Sequence, residues 1–387
     1  MHRLVKMPAG LSLEVQGAFP WIACMLPLAL VGGVAGGVLE SRERFLSTNI
    51  LNLINVLLGQ IVPLVCAVLI EPTLTVVIPA SFAARAISAG LSLGFVFWTE
   101  RIQSIFVFDL ERTKKLLEFG AWVSVTNVVG PLLTSVDQLL VGSTLGAVAI
   151  AYYSIPMNLV TRTQIIATAL ARTLFPRFSR LKGEEATELA ERAFIALGYV
   201  FGSICGPAII LAPTFMSFWM GLDFASHATP IVELLLIGAW INGIALIPFA
   251  FLQGQGRPDL TAKLHVIEFA PFVIVLWFLL QEFGLQGAAL AWVGRVSADA
   301  ILLVWVSRFK GNHLLRLAPA LGLILASFAV ARMANVTAVS SVFLAGFCAI
   351  VFVVSAAVFD VFSRKILLAL FARLVQAFDQ YLGRPAV

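Results

Sequence analysis

The chain has 387 residues, 60% of them hydrophobic and only 12% charged, with a mean hydropathy of +0.97 and a formal net charge of +5. A soluble domain carries about 25% charged residues, so a water-soluble globular protein is excluded. The apolar runs are long and do not alternate as barrel strands do. The excess of basic residues is no nucleic-acid footprint either, because it is not interleaved with exposed aromatics.

The leader MHRLVKMPAGLSLEVQG carries Arg3 and Lys6 but does not read as a signal peptide. Its hydrophobic stretch runs on, with no small-residue cleavage site ahead of a soluble domain. Apolar segments then follow at about 17–38, 46–70, 74–98, 119–142, 148–175, 193–220, 230–254, 264–281, 285–307, 317–334 and 338–362. Each is long enough to cross a bilayer. The chain is therefore expected to be an all-α polytopic integral membrane protein with about eleven transmembrane helices.

The basic residues sort between alternate loops. Of the 26 Lys and Arg, 19 fall on one side: Arg42, Arg44; Arg101, Arg112, Lys114, Lys115; Arg177, Arg180, Lys182, Arg192; Arg257, Lys263; Arg308, Lys310, Arg316; and Arg364, Lys365, Arg373, Arg384. The other side holds Arg332 and the two leader residues, and Arg85, Arg162, Arg172 and Arg295 lie inside spans. By the positive-inside rule the C-terminus is cytoplasmic. The charged segment 99–118 reads as a cytoplasmic amphipathic linker that divides three spans from eight.

Polar residues inside the spans form stripes. In the third span Ser81, Arg85, Ser88 and Ser92 recur at helical spacing. In the fourth, Asn127, Gly130, Thr134, Asp137 and Gln138 share one face, with Val and Leu opposite. In the fifth, Ser154, Asn158, Thr161, Thr168 and Arg172 do the same, with Arg162 at the edge. Glu268 lies in the eighth span, and the ninth holds Arg295 and Asp299 one turn apart.

Two explanations stand for these stripes. Ser, Thr and Asn suit hydrogen bonds between packed helices, and Arg295–Asp299 suits an i,i+4 pair. Arg85, Arg162, Arg172 and Asp137 have no partner within one turn, which suits a water-filled cavity. That cavity leans cationic, and a cationic cavity attracts an anion such as phosphate or pyrophosphate. Pro131, Pro156, Pro207, Pro213, Pro248 and Pro271 sit within spans, as common helix kinks or as bending points of an alternating-access carrier.

Cys24, Cys66, Cys205 and Cys348 lie in four different apolar runs without CxxC spacing, as small buried side chains do. His2, His227, His265 and His313 are scattered. No metal site is expected from this pattern, and no His–Asp pair sits at an active-site spacing.

Several stretches resemble one family. LEFGAWVSVTNVVGPLLTSVDQLLVGSTLGAVAIAYYSIPMNLVTR resembles the start of the C-terminal lobe of polysaccharide (O-antigen and exopolysaccharide) flippases. These belong to the multidrug/oligosaccharidyl-lipid/polysaccharide exporter superfamily. GVLESRERFLSTNILNLINVLLG, ALARTLFPRFSRL, PFAFLQGQGRPDLTAKLHVIEF and GLQGAALAWVGRVSADAILL are similar to further parts of it, in the right order. Gln138 departs from the family, where an Arg often follows the Asp, and leaves the partner of Asp137 open.

The resemblance implies two six-helix lobes with extra helices behind them. It matches the first span here to the family's fourth helix, so the N-terminal lobe is incomplete and the leader corresponds to an interhelix loop. The implied layout is a partial N-terminal lobe over 1–98, the linker over 99–118, a C-terminal six-helix lobe over 119–307, two additional helices over 308–362 and a cytoplasmic tail over 363–387.

The implied activity is no enzymatic one. It is transfer of an undecaprenyl-pyrophosphate-linked oligosaccharide across the bacterial inner membrane. The partners are that substrate, membrane lipids and other polysaccharide-assembly membrane proteins, without nucleic acid. No cofactor is implied beyond a proton or sodium gradient. Arg85, Arg162, Arg172, Asn158, Asn127 and Arg295 are then the substrate-lumen candidates, and Asp137, Asp299 and Glu268 the ion-coupling candidates. A drug/cation antiporter of the same superfamily would want an acidic cavity. A membrane glycan polymerase or acyltransferase would want a large catalytic loop or an intramembrane His/Asp pair.

Overall fold

The computed structural model describes residues 9–99, 109–310, 315–333 and 338–359, together with Arg364. The leader residues Arg3 and Lys6, residues 100–108 of the expected linker and nearly all of the tail over 363–387 lie outside the described residues. Every described element is helical. The chain divides into two compact units, Met1–Asp109 and Leu110–Val387.

The first unit consists of α1 (Ala9–Ser41), α2 (Phe45–Leu69) and α3 (Leu74–Thr99). Both α1 and α2 pack on α3. Its small core is Ala35, Leu39 and Val96, with Leu51, Leu93 and Phe95 against them. The turn after α1 is closed by the Arg44 amide on the Leu39 carbonyl at 2.9 Å, with Glu43 at φ 58°. Most large side chains here point outward, Leu46 and Val68 at 75% exposure among them. Such surfaces suit lipid, not water.

The second unit begins with α4 (Leu110–Leu145), so residues 110–118 continue directly into the fourth span. It goes on with α5 (Ala147–Thr163), α6 (Ile165–Arg180), α7 (Glu184–Met220), α8 (Leu222–Gly254), α9 (Pro258–Val306), α10 (Ala318–Met333) and α11 (Ala338–Phe359). The α7–α8 hairpin is the centre: α5, α6 and α9 pack on α8, α10 and α11 on α7, and α4 on α9.

Nine of the described helices are long and apolar enough to cross a membrane. They account for the eleven expected segments because of two local breaks. The fifth span is divided at Gln164 into α5 and α6, and Gln164 Nε2 ties the break to the Ala239 carbonyl of α8 at 2.8 Å. The eighth and ninth spans are the two arms of α9, folded back at Gly284, whose φ 56° and ψ −135° lie where only glycine rests without strain. Gly287 completes this turn, because a Cβ there would stand 1.8 Å from the Leu279 carbonyl oxygen. The helices continue through Pro131, Pro156, Pro207, Pro213, Pro248 and Pro271, so the breaks fall at a glutamine and a glycine instead.

In lipid, helices associate through close packing more than through apolar transfer. The α7–α11 contact shows how. Gly202 and Gly206 leave a notch that takes the fully buried Phe352 ring, where added Cβ atoms would come within 2.5 and 2.6 Å of ring carbons. Trp240 of α8 donates to the Gly198 carbonyl of α7 at 2.8 Å. Polar ties hold the last helices: Thr214 with Ser341 at 3.0 Å, and Arg332 with the buried Glu233 at 2.7 Å. At the far end of α7, Glu184 meets Lys310 at 2.7 Å and keeps the lysine proton above its ordinary range. Of the cysteines, Cys205 and Cys348 are buried, whereas Cys24 faces outward, where lipid replaces the protein packing expected for it.

Candidate functional site

The described structure brings four of the nine candidate residues into one buried cluster in the second unit: Asp137, Glu268, Arg295 and Asp299. Asp137 comes from α4 and is fully buried. Its Oδ2 accepts a hydrogen bond from the Tyr153 hydroxyl of α5 at 2.8 Å, and its Oδ1 accepts one from the Gln138 amide at 2.7 Å. These are the partners that the absence of an arginine at position 138 left open.

The fold of α9 builds the rest. Because its arms run back along each other from Gly284, residues on the first arm face residues on the second. His265 Nε2 lies 3.6 Å from Asp299 Oδ1, and the Arg295 guanidinium lies 5.4 Å from the centre of the Phe272 ring. No ion pair closes Arg295 onto Asp299 among the described residues. Arg295 instead feels the charges of Asp299, Glu268 and Asp137 together. Glu268 and Asp299 are 7% and 6% exposed.

The same arrangement corrects an expectation. No His–Asp pair was expected from the sequence spacing, yet helix packing places His265 against Asp299 across 34 residues of chain. Beside them opens a cavity of about 150 Å³, lined by Gly130 and Leu133 of α4, Asn242 and Phe249 of α8, and His265, Arg295 and Asp299 of α9. It has room for a few waters and is far too small for an oligosaccharide.

The other five candidates stand elsewhere. Arg85 is exposed on α3 of the first unit. Asn127 on α4, Asn158 and Arg162 on α5, and Arg172 on α6 are exposed on the second unit among the described residues. None of the three arginines meets a carboxylate among the described residues. The hydroxyls of the stripes are turned inward on their own helices: Ser81 on the Val77 carbonyl, Ser92 on Ser88 and Thr161 on Asn158. For these three, backbone bonding within a helix replaces the expected bonding between helices.

Sequence reasoning missed His265, Tyr153 and Asn242. A signal for His265 was present, since it stands one turn before Glu268 on the same helix face. Tyr153 and Asn242 had none, because their roles come from other helices meeting them.

The fold and this buried cluster define an all-α polytopic membrane protein of exporter architecture. The chain belongs to the polysaccharide biosynthesis protein family, whose model matches residues 16–241. It is 30% identical to the "Putative O-antigen transporter" of Shigella flexneri over 297 residues, 76% of this chain and 70% of that one. It is 24% identical to the lipopolysaccharide biosynthesis protein WzxC of Escherichia coli K12 over 43% of this chain, but only 35% of the relative's length. In fold it is similar to the MATE transporter VcmN of Vibrio cholerae in its bent form, with a TM-score of 0.65 at 14% identity over 84% of this chain and 74% of that one. These findings agree with the family that the sequence motifs resemble.

Proposed function

We propose that the protein carries an undecaprenyl-pyrophosphate-linked oligosaccharide from the cytoplasmic to the outer leaflet of the bacterial inner membrane, for surface polysaccharide assembly. The C-terminus is then cytoplasmic, on the side that holds most of the basic loops. The observation that carries the proposal is the set of exposed arginines that meet no carboxylate among the described residues. Arg162 and Arg172 stand on α5 and α6, exposed in their unit and, among the described residues, without a carboxylate partner. An arginine facing lipid at the centre of a span costs roughly 2.5–3.5 kcal/mol, so in this reading these side chains face water and an anionic group instead. Arg85 of the first unit presents the same chemistry. Membership of a polysaccharide biosynthesis family makes a pyrophosphate-linked glycan the fitting anion.

Arg85, Arg162 and Arg172, with Asn127 and Asn158 as neutral hydrogen-bonding groups, are the proposed substrate contacts. Arg295 is set apart by its burial and belongs with Asp137, Glu268 and Asp299, the proposed coupling group for a proton or sodium gradient. Other polysaccharide-assembly membrane proteins are the proposed partners.

Chromosomal Arg→Ala changes at positions 85, 162 and 172 test this reading. Surface glycan should fall at least tenfold in the triple variant and lipid-linked glycan should accumulate inside, with the protein still in the membrane fraction. Export at the wild-type level by an inserted triple variant would refute it. Gain of cationic-dye extrusion without any glycan phenotype would favour an antiporter.

A further inference from the structure

Three buried carboxylates in the second unit, Asp137, Glu268 and Asp299, face one guanidinium, that of Arg295. The Asp137 anion is met by the Tyr153 hydroxyl and the Gln138 amide. The other two are not met. Among the described residues no donor meets either oxygen of Glu268 or Oδ1 of Asp299, whose carboxyls instead face one another, and Nδ1 of His265 and Nε of Arg295 have no hydrogen-bond partner. Five orphaned atoms in one cluster are far from ordinary, since nearly all buried polar groups are paired. A carboxylate buried without donors persists only if something positive reaches it or a proton neutralises it.

Charge balance shows how much is needed. With His265 neutral and all three carboxylates ionised, two negative charges are unmatched. One proton on His265 gives Asp299 a cationic partner at 3.6 Å. A second on Glu268 removes the last unmatched charge. We propose that His265, Glu268 and Asp299 form a two-proton site filled from the adjoining cavity, with Arg295 as its fixed counter-charge.

The groups facing the site from each packed element are accounted for. They are Asp137 from α4, Tyr153 from α5 and Asn242 from α8, beside the four residues of α9 itself. Lys263 is held away by Asp259 at 3.2 Å and lies over Trp122.

A proton suits this site better than a metal ion. The guanidinium already occupies the place of a fixed cation. Among the described residues, no three acidic, histidine or cysteine side chains converge as ligands of one metal would. The imidazole also offers a nitrogen for the purpose. A neutral imidazole keeps one bare ring nitrogen, and a proton taken up there makes the ring the cationic partner of Asp299 at 3.6 Å. The proposal rests on the transporter reading for its purpose, which is to make one helix pair charge-sensitive, but not for its chemistry.

The test uses the intact protein purified in nanodiscs with no glycan present. The chain has four histidines, so a 15N-histidine NMR spectrum compared with that of H265N assigns the His265 ring. The sample is taken from about pH 8 to pH 5, first in choline chloride and then in sodium chloride. On acidification the His265 imidazolium signal should appear. An infrared band of a protonated carboxylic acid should appear with it and be lost in E268Q. D299N should lose the imidazolium signal at the acidic end. Sodium should move neither.

A His265 ring that stays neutral throughout overturns the proposal. So does displacement of the carboxylic-acid band by sodium, which would make this a metal site. If E268Q does not fold, the wild-type comparison of choline with sodium decides alone. Proton binding without glycan export would leave this site standing and remove the flippase reading. Export that depends on Arg162 and Arg172 with a neutral His265 would do the reverse.

Discussion

Replacing Tyr153 with phenylalanine removes one hydroxyl from a buried position beside a carboxylate. That hydroxyl donates to Asp137 Oδ2 at 2.8 Å, and both residues are fully buried. Hydrogen bonds to charged groups contribute about 1.5–3 kcal/mol, and leaving a buried acceptor unmet pushes the cost toward the upper part of that range. Y153F should therefore destabilise the second unit by ~2–3 kcal/mol. Thermal unfolding in a fixed detergent, read through the eight tryptophans, measures it. At ~2 °C per kcal/mol for a chain of this size, the midpoint should drop by roughly 4–6 °C. The same change made in a D137A background removes a hydroxyl that no longer has its acceptor, and should be neutral or slightly stabilising. An equal drop in both backgrounds would show that Tyr153 acts by packing alone, and the account of how Asp137 is held would be wrong.

G287A should prevent the return turn of α9, because its Cβ meets backbone at 1.8 Å and not a side chain that can move aside. A G287A protein with wild-type yield and unfolding midpoint would contradict the geometry of that turn. F352A empties the notch between Gly202 and Gly206, leaving about 100 Å³, and at ~24 cal/mol/Å³ should cost ~2 kcal/mol in the same assay. The apolar transfer term is absent because lipid is as apolar as the core, so a loss above ~4 kcal/mol would mean that more than packing is involved. R332A strips the partner from Glu233, which is 2% exposed. Removing one member of a buried pair costs ~3–5 kcal/mol, but Arg332 is 41% exposed, so ~1–2 kcal/mol is expected, with recovery in E233Q/R332A.

The spans were legible because hydrophobic length is imposed by the bilayer and not by tertiary partners. Even the division of α9 could be read, since GLQG after Phe283 interrupts the apolar pattern with the glycines that the turn requires. The break at Gln164 could not. The run TRTQIIATAL has no proline or glycine, and the break is held by a bond to Ala239 on another helix. The candidate site was legible in part for the same reason. A charge inside a span is visible by its cost, so Asp137, Glu268, Arg295 and Asp299 could be singled out individually. Their assembly with His265 and Tyr153 could not, because contact between two arms of α9, α4 and α5 depends on packing over long sequence separations. The Arg295–Asp299 spacing pointed to a pair within one helix, whereas packing gives Asp299 a histidine from the facing arm and gives Arg295 an aromatic ring.

The contrast between Arg295 and the three exposed arginines bears on the proposed cargo. Arg295 has its counter-charges built in and is half-covered by its own unit, so it has little attraction left for a ligand. Arg85, Arg162 and Arg172 have no carboxylate partner among the described residues. Facing lipid at the centre of a span, each would cost roughly 2.5–3.5 kcal/mol on insertion scales. Facing water, that cost falls away, and their donors stay available. Their neighbours do not compete for the same ligand: Ser81, Ser92 and Thr161 direct their hydroxyls to carbonyls of their own helices. The strong unmatched donors on these faces are therefore the guanidinium groups, whose planar fork fits the paired oxygens of phosphate. A neutral or cationic cargo would give these guanidinium groups nothing to bind, whereas the proposed pyrophosphate-linked glycan would present an anion to each of them.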